Sequence, residues 1–132
     1  MIQGSSILKT PTASFTGGTA QALTIIRNLG NAISAACTTD SDAKLRKQFE
    51  FKTQLSRPSP AGANGFSQSR SSVDCVFPKL LSNGVVTKNA GGVYIRVDPE
   101  TTDAEFQDIK LYLAQMILDS DFSDFWRSQA SV

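Results

Sequence analysis

Hydrophobic and polar residues alternate through most of the first hundred positions and change to a helical spacing beyond them. Val93, Ile95 and Val97 alternate with Tyr94, Arg96 and Asp98, the period of a strand with one buried face. Pro99 has no N–H for a ladder and ends that strand. Thr102 and Glu105 follow in T-x-x-E spacing, a capping box that starts a helix. Phe106, Ile109, Leu113, Met116 and Ile117 then fall at offsets 0, 3, 7, 10 and 11, a single helical stripe. The spacing predicts a helix of about 17 residues, roughly 25 Å long. Burying its five large apolar side chains is worth on the order of 10 kcal/mol. After Asp119-Ser120, the residues Phe122, Phe125 and Trp126 repeat the stripe on a shorter helix.

The part before residue 100 divides into strands and turns. Residues 5–10 form a candidate first strand closed by Pro11, and Phe15-Thr16-Gly17-Gly18 marks a turn. Residues 22–28 are rich in β-formers, with Leu23, Ile25 and Arg27 set against Thr24 and Ile26. Leu29-Gly30-Asn31 makes the next turn, and 32–39 is a strand of small residues. A helix over 20–36 competes, but the glycine and asparagines in its middle oppose it. Asp40-Ser41-Asp42 is a polar connector. Residues 45–56 form the clearest long strand. Lys47, Phe49, Phe51, Thr53 and Leu55 alternate there with Arg46, Gln48, Glu50, Lys52 and Gln54. Residues 57–65 are a loop, being rich in proline and glycine. The strand 66–77 puts Val73, Cys75 and Phe77 on an apolar face and Arg70, Ser72 and Asp74 on a polar one, and Pro78 stops it. Residues 80–92 hold Asn83-Gly84 and Asn89-Ala90-Gly91-Gly92, a longer flexible loop or hairpin tip before the strand at Val93. Strands followed by a terminal helix pair give an α+β fold: an antiparallel meander with an N-terminal hairpin and two C-terminal helices on one face. The 132 residues make one domain, with a sheet region over 1–98 and a helical tail over 99–132.

Composition narrows the chemistry. Histidine is absent, which removes the commonest general base, the Ser–His and Cys–His nucleophile pairs and every histidine-containing metal site. No Walker loop or G-x-G-x-x-G run is present, so no cofactor, metal or small-molecule substrate is expected. Glu50 and Asp74, on adjacent strands, are the best carboxylate pair for catalysis, but among the surrounding cations they serve better as charge balance. No apolar run approaches the roughly 20 residues of a membrane span, and the start lacks the basic and apolar regions of a secretory signal. Cys37 and Cys75 lie in strand-like runs and are expected as free buried thiols.

The net charge of +1 conceals a segregation. Residues 1–43 are neutral. Residues 44–97 carry nine basic side chains against two acids, for +7, and residues 98–132 carry two against eight, for −6. A basic sheet and an acidic tail suit a face turned toward a polyanion. Lysine and arginine that merely block edge pairing give the same counts.

The whole chain, in element order and length, resembles the coat proteins of single-stranded RNA bacteriophages. The likeness is strongest from Lys47 on: a strand ending Leu55-Ser56-Arg57-Pro58-Ser59, a partner ending Val76-Phe77-Pro78-Lys79, a glycine-bearing loop, a last strand and a terminal helix pair. The resemblance implies an interlocked homodimer in which each subunit's helices cross its partner's sheet. Phe106, Ile109, Leu113, Met116, Ile117, Phe122, Phe125 and Trp126 would then form the interface. Dimers would assemble, in the bacterial host cytoplasm, into a quasi-equivalent (T=3) icosahedral virion shell around the viral RNA. The loop 80–92 would sit at the fivefold and quasi-sixfold contacts, its glycines permitting different conformations. The helix-free face would bind RNA, including a hairpin through which the protein represses replicase translation.

The residues agree on the face. Gln48, Lys52, Gln54, Arg70, Ser72, Tyr94 and Arg96 share one strand parity; lysine and arginine suit phosphates and Tyr94 suits an unpaired base. A merely solvated face has the same pattern. Well-known members of the family hold an adenine with Thr/Ser and Lys side chains on the two central strands. The matching positions here are Lys52, Gln54, Ser72 and Asp74, of which only Ser72 keeps the type, so packaging of RNA without a specific hairpin is the expectation. The loop 80–92 carries no cysteine and so no disulfide staple. A small RNA- or single-stranded-DNA-binding domain that never assembles is the alternative.

Overall fold

The structure, a computed structural model, describes residues 4–38 and 42–128. Thr39, the last residue expected in the second strand, and Asp40 and Ser41 of the connector lie outside that set. The chain divides into two compact units, Gly18–Pro99 and a second that joins Met1–Gly17 to Glu100–Val132.

The unit Gly18–Pro99 is one antiparallel sheet whose spatial order follows the sequence: β1 (Leu23–Asn28), β2 (Ala32–Cys37), β3 (Gln48–Gln54), β4 (Ser69–Leu80) and β5 (Val86–Val97). The expected meander is therefore present, and the helix over 20–36 is not. Asn28 and Gly30 break that run, the Asn28 side chain accepting from the Gly30 N–H at 2.9 Å while the Leu29 N–H donates to the Ala32 carbonyl at 2.8 Å. These bonds close a hairpin. Within β1 the register steps between Ile25 and Arg27, leaving Ile26 as a bulge. Arg27 thereby pairs with Ser34 and leaves the face of Leu23 and Ile25, which simple alternation had assigned it.

The strand limits differ from those expected in three places. β3 is shorter than 45–56 because Leu45 is held in a turn by the Asp42 carbonyl, 3.0 Å from its N–H. β4 starts at Ser69 because Ser67 instead binds Arg57, its N–H donating to the Arg57 carbonyl at 2.7 Å. That contact shapes the predicted loop 57–65, whose Asn64 amide also donates to the Asp98 carboxylate at 2.9 Å. The largest correction concerns Pro78 and the extent of 80–92, which, of its two readings as flexible loop or hairpin tip, is the hairpin. β4 runs through Pro78, which pairs with Lys88, and β5 starts at Val86. β3 ends opposite Val76, so the proline lies beyond that neighbour, on an edge where a missing N–H leaves no ladder bond unmade. What remains of the loop is a tight turn. The Leu81 N–H donates to the Val85 carbonyl at 2.9 Å, and Gly84 takes the φ of +82° that the turn requires.

In the other unit, α1 (Asp103–Leu118) starts as its capping residues dictate. The Thr102 hydroxyl accepts from the Glu105 N–H at 3.3 Å, and Asp103 and Glu105 place negative charge on the first turn. Thr102→Ala is expected to cost about 1 kcal/mol, read as a lower thermal midpoint. A 3₁₀ turn, Ser120–Phe122, leads into the six-residue α2 (Ser123–Ser128). The Trp126 indole N–H donates to the Met116 carbonyl at 2.7 Å and folds α2 back on α1. Residues 5–10 are not the expected strand. Leu8 instead finds its pairing on a side chain: its N–H donates to Gln115 Oε1 at 2.7 Å, and its carbonyl accepts from Gln115 Nε2 at 3.0 Å. No helix among the described residues is long and apolar enough to cross a membrane.

Burial is the anomaly of this chain. Among the described residues the buried set is Ala35, Ala36 and Cys37, three small side chains of β2, and α1 contributes none. Cys37 is thus a buried free thiol as expected, whereas Cys75 is only half-buried.

Candidate nucleic-acid interface

Antiparallel register converts the strand alternation into rows across the sheet. On one face Ile33, Phe51, Val73 and Val93 form an apolar row; beside it stand Ile25, Ala35, Phe49 and Cys75. Phe49 meets Phe77 edge to face at 6.0 Å, and the Lys47 ammonium lies 5.3 Å from the Phe77 ring centre. Phe51, Phe77 and Val93 are all exposed in the single chain.

The opposite face holds all seven residues that parity had grouped. Gln54, Arg70 and Arg96 make one row, and Lys52, Ser72 and Tyr94 the next. Gln48 stands apart from them, because the row Ser34, Glu50, Asp74 and Gly92 lies between. Sequence parity brought these side chains to one face, but only the register shows that two carboxylates divide it.

The electrostatics of the face are uneven. Arg70 and Arg96 sit directly opposite each other, an arrangement that like charges disfavour. Tyr94 relieves it in part. The Arg70 guanidinium lies 4.5 Å from the ring centre and that of Arg96 5.8 Å, both within cation–π range. Neither arginine makes an ion pair among the described residues, and the buried Nε of Arg70 has no hydrogen-bond partner. Lys52 is partly compensated by Glu50, 3.4 Å away, but both side chains are exposed and the pair is weak.

A groove of about 960 Å³ runs across this cationic end, lined by Lys52, Gln54, Arg57, Arg70, Ser72 and Asp74 among others. Arg57 was not among the residues grouped by parity, since it follows the strand and belongs to the loop. Its place after a polar-faced strand was the available signal. The groove can hold an extended anionic chain. Arginine and lysine meet phosphates, Ser72 and Gln54 offer hydrogen bonds, and Tyr94, opposite Ser72 but outside the groove's lining, offers a ring face beside it. Glu50 and Asp74 are cross-strand partners on this face, and no group of three or more metal-ligating side chains occurs among the described residues.

The eight helical residues expected at an interface lie in the other unit. Phe106, Ile109, Leu113, Phe122 and Phe125 are half-buried, and Met116, Ile117 and Trp126 are exposed. Phe125 and Trp126 meet edge to face at 5.0 Å, and the Lys110 ammonium lies 5.3 Å from the Phe106 ring centre.

No family model matches the sequence, and no curated protein does. Solved structures do match. The chain resembles the virus-like particle of bacteriophage GQ-907 with a TM-score of 0.87 and 25% identity, over 100% of both chains. It matches the virus-like particle of bacteriophage AVE019 at a TM-score of 0.67 and 12% identity, covering 87% of this chain and 90% of that one. For the virus-like particle of bacteriophage ESE058 the values are 0.60 and 12%, over 88% and 99%. The last two likenesses are of fold alone.

Proposed function

We propose, from its fold and its full-length likeness to a bacteriophage virus-like particle, that this chain is a capsid subunit that encloses single-stranded RNA. The observation that carries the reading is the pairing of two faces on one sheet. One is apolar, with Phe51, Phe77 and Val93 exposed in the single chain; the other is cationic, divided and grooved. With three small buried residues among those described, the single chain has no sufficient core of its own. A second copy would supply it. The helical stripe from Phe106 to Trp126 would cover the partner's row of Ile33, Phe51, Val73 and Val93, and the outer edge of the 12-residue β5 would pair with its counterpart. The sheet would then be continuous across the dimer, with helices outside and the cationic face turned inward to the RNA. Dimers would close into an icosahedral virion shell, assembled in the host cytoplasm. Repression of replicase translation through a hairpin belongs to the same reading of the inner face.

The full-length match is to a bacteriophage virus-like particle, which lends the carboxylate-enzyme alternative no support. The deciding experiment is electron microscopy of the protein expressed in bacteria, with the ultraviolet spectrum of the purified material. Uniform spheres with a nucleic-acid spectrum are expected. Spheres free of nucleic acid would keep the shell and remove the RNA-binding face, and dimers alone would leave the non-assembling binding module. Binding to single-stranded RNA should also weaken with salt. With three to five phosphates engaged, log K is expected to fall against log salt with a slope of about −2 to −4. Arg70→Gln with Arg96→Gln should flatten that slope by about 1 to 2.

A further inference from the structure

We infer that Asp74 makes the groove selective for an unpaired guanine, an inference that rests on the RNA-binding reading of the same face. Asp74 lies in the middle of a cationic sheet face and lines the groove with Lys52, Ser72 and Arg70. It is exposed, and among the described residues it makes no hydrogen bond or ion pair. Its room is built into the partner strand: Gly92 stands directly opposite, and a Cβ there would collide with the Asp74 carboxylate. This is an acceptor kept free in a place where an RNA phosphate would be repelled.

An ionised carboxylate only accepts hydrogen bonds, through two parallel oxygens. The base edges answer it unequally. Uracil sets one N–H between two carbonyl oxygens. Adenine and cytosine each set an amine beside an unprotonated ring nitrogen, which faces the second carboxylate oxygen with a lone pair. Guanine alone presents two adjacent donors, N1–H and the N2 amine, in the fork geometry that makes arginine–carboxylate pairs strong. The surroundings supply the other elements of single-strand recognition. Tyr94 pairs with Ser72 and is the diagonal neighbour of Asp74, close enough for a base stacked against the Tyr94–Arg70 pair to turn its edge toward the carboxylate. Arg70, Arg96 and Lys52 then hold the flanking phosphates. Asp74 therefore lowers the affinity for RNA in general and restores it for one base.

The test is fluorescence anisotropy of the full-length protein with three labelled single strands: oligouridine, the same strand with one central guanosine, and the same strand with inosine in that place. Guanosine is expected to tighten binding at least about tenfold over oligouridine, the discrimination of one good bidentate contact. Inosine, which lacks the N2 amine, should lose most of that gain in the unaltered protein. Asp74→Asn should erase the guanosine preference and bind oligouridine more tightly, because the carboxylate that repels phosphates is gone. Equal binding of all three strands by the unaltered protein, or a guanosine preference that survives Asp74→Asn, would overturn the inference and leave the RNA-binding reading intact. Failure of every strand to bind would remove that reading, and this inference with it.

Discussion

Phe51→Lys is expected to abolish particles and leave the chain insoluble or unfolded. Phe51 is 37% exposed in the single chain and stands in the middle of the row Ile33, Phe51, Val73 and Val93. If that face met water in the functional protein, a lysine would cost almost nothing and would improve solubility. If a partner's helices cover it, the ammonium has no counter-ion on the row, and burying an unpaired charge costs several kcal/mol. The difference is close to the whole stability of a small domain. Size-exclusion chromatography and electron microscopy of the variant decide it. A soluble, correctly folded Phe51→Lys protein that still forms spheres would refute the covered-face dimer.

Trp126→Ala is the second decisive substitution. The indole is 54% exposed in the single chain, yet its N–H is already committed to the Met116 carbonyl. Without a partner, the loss is one hydrogen bond and some contact with Phe125, worth about 1 kcal/mol. In a buried interface the ring leaves a cavity, and the dimer should weaken by roughly 3 kcal/mol or more. Dissociation on dilution and thermal unfolding read the two cases apart. A dimer of unchanged strength would remove α2 from the interface.

What was legible in the sequence followed from local rules. Thr102 and Glu105 fixed the start of α1 because capping is a property of four consecutive residues. Strand parity grouped Lys52, Ser72 and Tyr94 because a side chain's face depends only on its position along its own strand. The errors came where a residue's neighbour decides. Pro78 should stop a strand, but it lies past the end of β3, where no bond is lost. Residues 5–10 look like a strand, yet their pairing partner is the Gln115 side chain, 107 positions from Leu8. The bulge at Ile26 moved Arg27 to the other face, and alternation carries no trace of it. The candidate groove was legible as a face but not as a shape. That Glu50 opposes Asp74 is a matter of register, which parity alone cannot set.

The hairpin at 80–92, the ordered one of the two readings of that stretch, bears on how identical chains would fit unlike places in a shell of the proposed kind. Among the described residues no third strand lies beside β4 and β5 beyond Val76, and the four pairs from Phe77 to Leu80 overhang as a two-stranded ribbon of about 14 Å at 3.4 Å per residue. Two-stranded ribbons have the widest range of twist. The ribbon is therefore a torsion spring: it is clamped at the sheet, and a few degrees of added twist at each pair swing the Asn83-Gly84 tip sideways with the ladder unbroken. In a shell where neighbouring tips met, adaptation of this kind would need no melting or refolding of a loop, and the entropy of a disordered segment would not have to be recovered.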